Sequence, residues 1–170
     1  NSTSKRYPYS NILGYKEKEE KVKWSDFSME LDVVNLVGDL KRKYQSANPF
    51  IICEKMGISV EFVPFLNNPK GQFQEILDEP IIFLNDSLKY SEERFYICAH
   101  ELGHALFHKE ISSYYVSTRN SRSKSENEAN CFAANLIADL YKEDTQMYPR
   151  KIEDLSRLYG LPVSAYRFLI

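Results

Sequence analysis

All three histidines of this chain, His100, His104 and His108, fall within nine residues of one another. The segment that holds them, residues 91–108, repeats apolar side chains at Phe95, Cys98, Ala99, Leu102, Ala105 and Leu106, the spacing of a single helix face. Ser91 suits an N-cap, and Glu92 and Glu93 suit the positive end of the helix dipole. A fold for this chain must therefore pack a core against one face of that helix and leave the other face to His100-Glu101-Leu102-Gly103-His104.

That pentapeptide matches H-E-x-x-H. Four residues of helix turn about 40° beyond a full revolution and rise about 6 Å, so two imidazoles on one face can reach one ion at about 2.1 Å. Glu101 flanks the same face and is placed to act as general base toward a water that zinc has acidified to a pKa of about 7. For a chain of this composition the pattern arises by chance about three times in a thousand. A catalytic zinc wants a third protein ligand. His108 lies about 12 Å along the axis from His100, which suits a helix-end or supporting role rather than ligation.

The better source is the next helix, where Ser125-Glu126-Asn127-Glu128-Ala129-Asn130 offers two carboxylates. Glu126 shares its side with the small residues Ala129 and Ala133 and has Asn130 one turn on as a partner to orient the site. Glu128 is the alternative, but it has a competing structural job, since Ser125-x-x-Glu128 fits a capping box; Ser123-x-x-Glu126 fits one as well, so capping alone does not decide, and Glu126 is favoured.

The remaining pattern reads as one α+β domain. Of 170 residues, 43% are hydrophobic and 14% aromatic, and folding at this length buries about 70% of the unfolded surface. Residues 1–26 form a polar arm, and 27–170 a single domain that includes the last helices, about 150–170. An amphipathic helix runs from Ser28 to near Tyr44, and a short one from Phe50 to Lys55 closes at Gly57. Three strands follow, Ile58–Phe65, Phe73–Leu77 and Ile81–Leu84, with turns at residues 67–71 and at Asp78-Glu79-Pro80, and a small antiparallel sheet is the economical arrangement. After the histidine helix come a polar loop over 110–124, an Ala-rich helix from about Ser125 to Leu140, and two short helices, Arg150–Tyr159 and Val163–Leu169.

With 22 basic against 24 acidic residues, the chain lacks the positive field that phosphate-backbone binding requires, and direct contact with nucleic acid is not expected. Cys53, Cys98 and Cys131 form no C-x-x-C pair and suit a reducing cytoplasm. No apolar run reaches membrane-spanning length, so no membrane partner is expected.

The segment Phe95 to His108, followed by Glu126, Ala129-Asn130, Phe132-Ala133-Ala134 and Leu136-Ile137, resembles the ImmA/IrrE family of bacterial and phage metallopeptidases. Pro49 to Val60, Gly71 and Ile82 to Asn85 resemble the family's lead-in, so that the likeness spans about residues 30–170. One departure is Ala138-Asp139, where the family often has Met-Pro. The resemblance implies a zincin-like fold, with the sheet packed on the active-site helix, and a cytoplasmic zinc endopeptidase that cuts helix-turn-helix repressors, as a phage or mobile-element antirepressor. It assigns His100, His104 and Glu126 as metal ligands and Glu101 as catalytic base. Zn2+ is the expected cofactor, with Mn2+ or Fe2+ as substitutes, and the oligomeric state is left open.

Hydrolysis also needs a donor for the oxyanion, for which Tyr114, Tyr115, Arg119 and Arg122 are candidates, and the strand near Ile81–Leu84 is a candidate to pair with substrate. Two other readings compete. The fold could bind zinc and sequester a repressor without cleaving it, which the intact Glu101 argues against. The C-terminal pair of helices around Gly160-Leu161-Pro162 could read DNA, but offers only Arg167 on its second helix and suits core packing better.

Overall fold

The computed structural model describes residues 24–66, 69–108 and 119–170, and for 24–28, 108 and 119–122 the backbone alone. The chain opens with α1 (Trp24–Tyr44) and α2 (Pro49–Met56), then β1 (Ser59–Val63), β2 (Gly71–Ile76) and β3 (Glu79–Asn85). After a short 3-10 turn come α3 (Glu93–His108), α4 (Arg119–Thr145), α5 (Glu153–Tyr159) and a closing 3-10 helix, Val163–Phe168. Apart from its last three residues, which begin α1, the polar arm lies outside the described residues.

Local chemistry explains several of these limits. Asn48 caps α2 by accepting the Phe50 N–H at 3.0 Å, with Pro49 pre-set at the first helical position. Gly57 ends that helix in the left-handed region, at φ 72°. Ser91 accepts the Glu93 N–H at 3.2 Å and so caps α3.

The sheet corrects the antiparallel expectation. Its order is β1-β3-β2, with β1 parallel to β3 and β2 antiparallel to it. The reason lies in β3, whose run Ile81-Ile82-Phe83-Leu84 is apolar throughout, with Ile82 and Leu84 fully buried. A strand apolar on both faces belongs in the middle of a sheet, and half-exposed β1 and β2 take the edges. The hairpin turn also shifts. Leu77 and Asp78, at φ 52° and 64°, make a two-residue loop, and Glu79 and Pro80 enter β3. Pro80 is tolerated there because β1 begins pairing only at Ile81.

Helix α4 starts at Arg119, so the end of the expected loop, 119–124, is helical. These polar turns carry no apolar stripe, which is why periodicity misses them. Neither capping box can form, since Ser123 and Ser125 lie inside the helix. From Ala129 to Ala138 α4 is buried almost all round, against Val33, Val37 and Leu40 of α1 and Cys98, Ala99 and Leu102 of α3. Gly103 marks the crossing of α3 and α4: a Cβ there would stand 3.0 Å from Ala129 Cα.

The C-terminal elements belong to this core. Leu155, Tyr159, Leu161, Ala165 and Phe168 are buried. Asn135 of α4 ties down the end of the chain, donating to Phe168 O at 2.8 Å and accepting the Ile170 N–H at 3.2 Å. Among the described residues no helix is long and apolar enough to cross a membrane.

Candidate metal centre

One face of α3 is committed to the core and the other looks across a cleft of about 480 Å³ toward the start of β2. Pro69, Lys70, Gly71, Gln72 and Phe73 line one side, and Ile97, His100, Glu101, His104 and Glu126 the other. Within it the structure brings together three of the residues singled out as ligands. The Nε2 atoms of His100 and His104 stand 3.1 Å apart, with their rings nearly perpendicular. From α4, Glu126 directs Oε2 to within 3.5 Å of His100 Nε2 and Oε1 to within 3.5 Å of His104 Nε2.

This spacing suits a small ion. Two donors on bonds of 2.0–2.1 Å at a tetrahedral angle lie roughly 3.3–3.4 Å apart. The two imidazoles are 16% and 12% exposed while the Glu126 side chain is 48% exposed, so the donors converge at the floor of a cleft that stays open to water. Burial pushes the His100 pKa down, opposed by the charge of Glu126 and by the nearby Asn130 amide, and a neutral ring is what metal ligation requires.

Behind the donors lies a layer of polar contacts. Ser125, buried, places Oγ 3.4 Å from His104 Nδ1. Tyr96, one turn before His100, donates its hydroxyl to Asn130 Oδ1 at 2.8 Å. Burial and then the Glu126 charge raise the Tyr96 pKa, keeping that hydroxyl a donor. Asn130 also approaches His100, although no well-aligned bond reaches the buried His100 Nδ1 from any described residue. Asn130 is the partner expected to orient the site; Tyr96 and Ser125, the latter expected only as a helix cap, join it through contacts that nothing local in the sequence marks.

Glu101 lines the same cleft and rests its carboxyl on β2, where its Oε2 accepts the Phe73 N–H at 2.9 Å. Burial pushes its pKa up to about 7, partly offset by that N–H and reinforced by the charge of Glu126. Glu128 lies outside the cluster, 3.7 Å from Lys124 one turn earlier on α4. Tyr114 and Tyr115 lie outside the described residues, as do the side chains of His108, Arg119 and Arg122. The strand expected to meet substrate, Ile81–Leu84, is the middle strand and has no free edge; the strand over the cleft is β2.

Residues 53–168 match the peptidase family described as the IrrE N-terminal-like domain. Two relatives are 28% identical to this chain. The uncharacterized immunity region protein 2 of Bacillus phage phi105 aligns over 126 residues, 72% of this chain and 79% of its own. The metallopeptidase ImmA of Bacillus subtilis strain 168 aligns over 113 residues, 58% of this chain and 62% of its own. With the match covering most of its length, including the cleft, α3 and α4, the chain belongs to the ImmA/IrrE family of metallopeptidases.

Proposed function

We propose that this chain is a zinc-dependent endopeptidase of the cytoplasm that hydrolyses a peptide bond in a helix-turn-helix repressor, relieving repression of prophage, mobile-element or stress genes. The observation that supports this best is the convergence of His100 Nε2, His104 Nε2 and the Glu126 carboxylate within 3.1–3.5 Å, with the Glu101 carboxyl in the same cleft. His100, His104 and Glu126 would hold the ion, a nitrogen and carboxylate set that suits zinc and leaves a position open. When bound, zinc supplies a Lewis acid that polarises a carbonyl and lowers the pKa of water to about 7.

The other roles fall to the protein. Glu101, with a pKa near 7, can accept a proton from the attacking water and return it to the leaving amine at neutral pH. Its anchor on the Phe73 N–H keeps the carboxyl in one place between the two transfers. The Phe73 N–H turns away from β3, so Gly71, Phe73 and Glu75 direct backbone groups outward along the edge of β2, and an extended substrate segment can pair with those still free.

The test begins with the neighbouring gene, where a repressor-like product supports this reading and its absence weakens it, and continues with incubation of such a repressor with this chain, with and without a chelator. Cleavage fragments are expected only with metal. Glu101→Gln should retain zinc and lose cleavage by about 10²–10⁴-fold. If Glu101→Gln inactivates the repressor as well as the unaltered protein does, sequestration replaces hydrolysis as the mechanism.

A further inference from the structure

Gly71 is a glycine with no conformational need to be one. It lies in β2 and does not have positive φ, which among the described glycines is confined to Gly57 and Gly160. Inside a strand glycine is destabilising relative to alanine, so a local gain must come from what its missing side chain makes room for. A Cβ at this position would stand 2.7 Å from Ile97 Cγ2, 2.9 Å from Glu101 Cγ and 3.1 Å from Glu101 Oε1. Two residues along the same outward-facing edge, the Phe73 N–H donates to the other carboxyl oxygen, Oε2, at 2.9 Å.

We propose that Gly71 and the Phe73 N–H form a backbone seat that orients Glu101, which makes Gly71 a positioning residue of the site. Gly71 supplies the space in which the carboxyl lies flat on β2, and Phe73 supplies the bond that holds it there. A methyl group at 71 pushes the carboxyl off the strand and breaks the Phe73 contact. None of the three atoms nearest that methyl belongs to His100, His104 or Glu126, so metal binding and base orientation are separable at this position. The inference rests on reading Glu101 as the base; the seat itself is a matter of geometry and can be tested without any substrate.

The experiment compares the full chain with Gly71→Ala, Glu101→Ala, Ile97→Ala and the doubles Gly71→Ala/Ile97→Ala and Gly71→Ala/Glu101→Ala. Zinc affinity, hydrogen exchange of the Phe73 amide, and kcat and KM are measured. The Phe73 amide should be protected in the unaltered protein and lose protection in both Glu101→Ala and Gly71→Ala. Gly71→Ala should bind zinc as the unaltered protein does, with kcat lowered about 100-fold, the scale of an ångström's misplacement, and KM unchanged. Adding Ile97→Ala should not restore it, because the contacts with Glu101 remain.

Retained Phe73 protection in Gly71→Ala would overturn the proposal, as would full recovery of protection and kcat in the double with Ile97→Ala, which would reduce Gly71 to packing against Ile97. Should Gly71→Ala fail to fold, rescue of folding by Glu101→Ala supports the seat and its absence overturns it. If the unaltered protein cleaves nothing, the peptidase reading fails while the amide exchange still decides the seat.

Discussion

Glu126 and Glu128 stand two positions apart on α4, and the helix turns about 200° between them. That rotation sends one carboxylate to the histidine pair and the other to Lys124. In the sequence, Ala129, Ala133 and Asn130 on its side favour Glu126, while the capping pattern fits both glutamates; the packing of α4 on α3 is what sets which side faces the cleft. The consequence is measurable. Glu126→Ala should weaken zinc binding by more than the roughly 10–100-fold typical of an outer partner, while Glu128→Ala leaves it nearly unchanged, as read by competition with a chromogenic chelator. His100, Glu101 and His104 were legible for the opposite reason: their relation is set by four residues of helix and survives any change in the surrounding packing.

At the scale of elements, the helices with apolar stripes were readable and the strand order was not. Periodicity found α1, α2 and α3 nearly to their ends, but it could not see that 119–124 is helical or that β3 sits between β1 and β2. The hairpin shows how local preference yields to pairing. Leu77 is 93% exposed and held at φ 52°, a conformation that costs a side-chain-bearing residue about 1–2 kcal/mol. Leu77→Gly should therefore stabilise the protein by about 1 kcal/mol in denaturant unfolding, with no effect on metal binding. The crossing of α3 and α4 behaves in the opposite way. Gly103→Ala drives a methyl to 3.0 Å from the Ala129 backbone, which cannot yield without moving a helix. Overpacking of this kind costs about 1–3 kcal/mol, and because the two histidines and Glu126 lie on these two helices, zinc affinity should fall with stability. Loss of stability with unchanged affinity would show that the crossing does not set the site.

For the molecule as a whole, the proposed ion would join α3 to α4 and should stabilise the fold that presents its ligands. At free zinc about a thousandfold above the dissociation constant, this linkage is worth about 4 kcal/mol. Chelation should therefore lower Tm in the unaltered protein and in Glu101→Gln, and leave Tm of Glu126→Ala almost where it was; calorimetry of the three with and without chelator checks this. The sequence by itself determined what depends on neighbours along the chain: the apolar stripe of α3, the caps of α2 and α3, and two imidazoles on one helix face. Only the tertiary structure decided which carboxylate meets them, which strand overlies the cleft, and which groups support the site. Those contacts join residues far apart in sequence, 21 positions for Ser125 and His104, 28 for Phe73 and Glu101, 34 for Tyr96 and Asn130. At such separations no helical or strand period relates the partners, and what brings them together is burial of the apolar faces that α3, α4 and the sheet share.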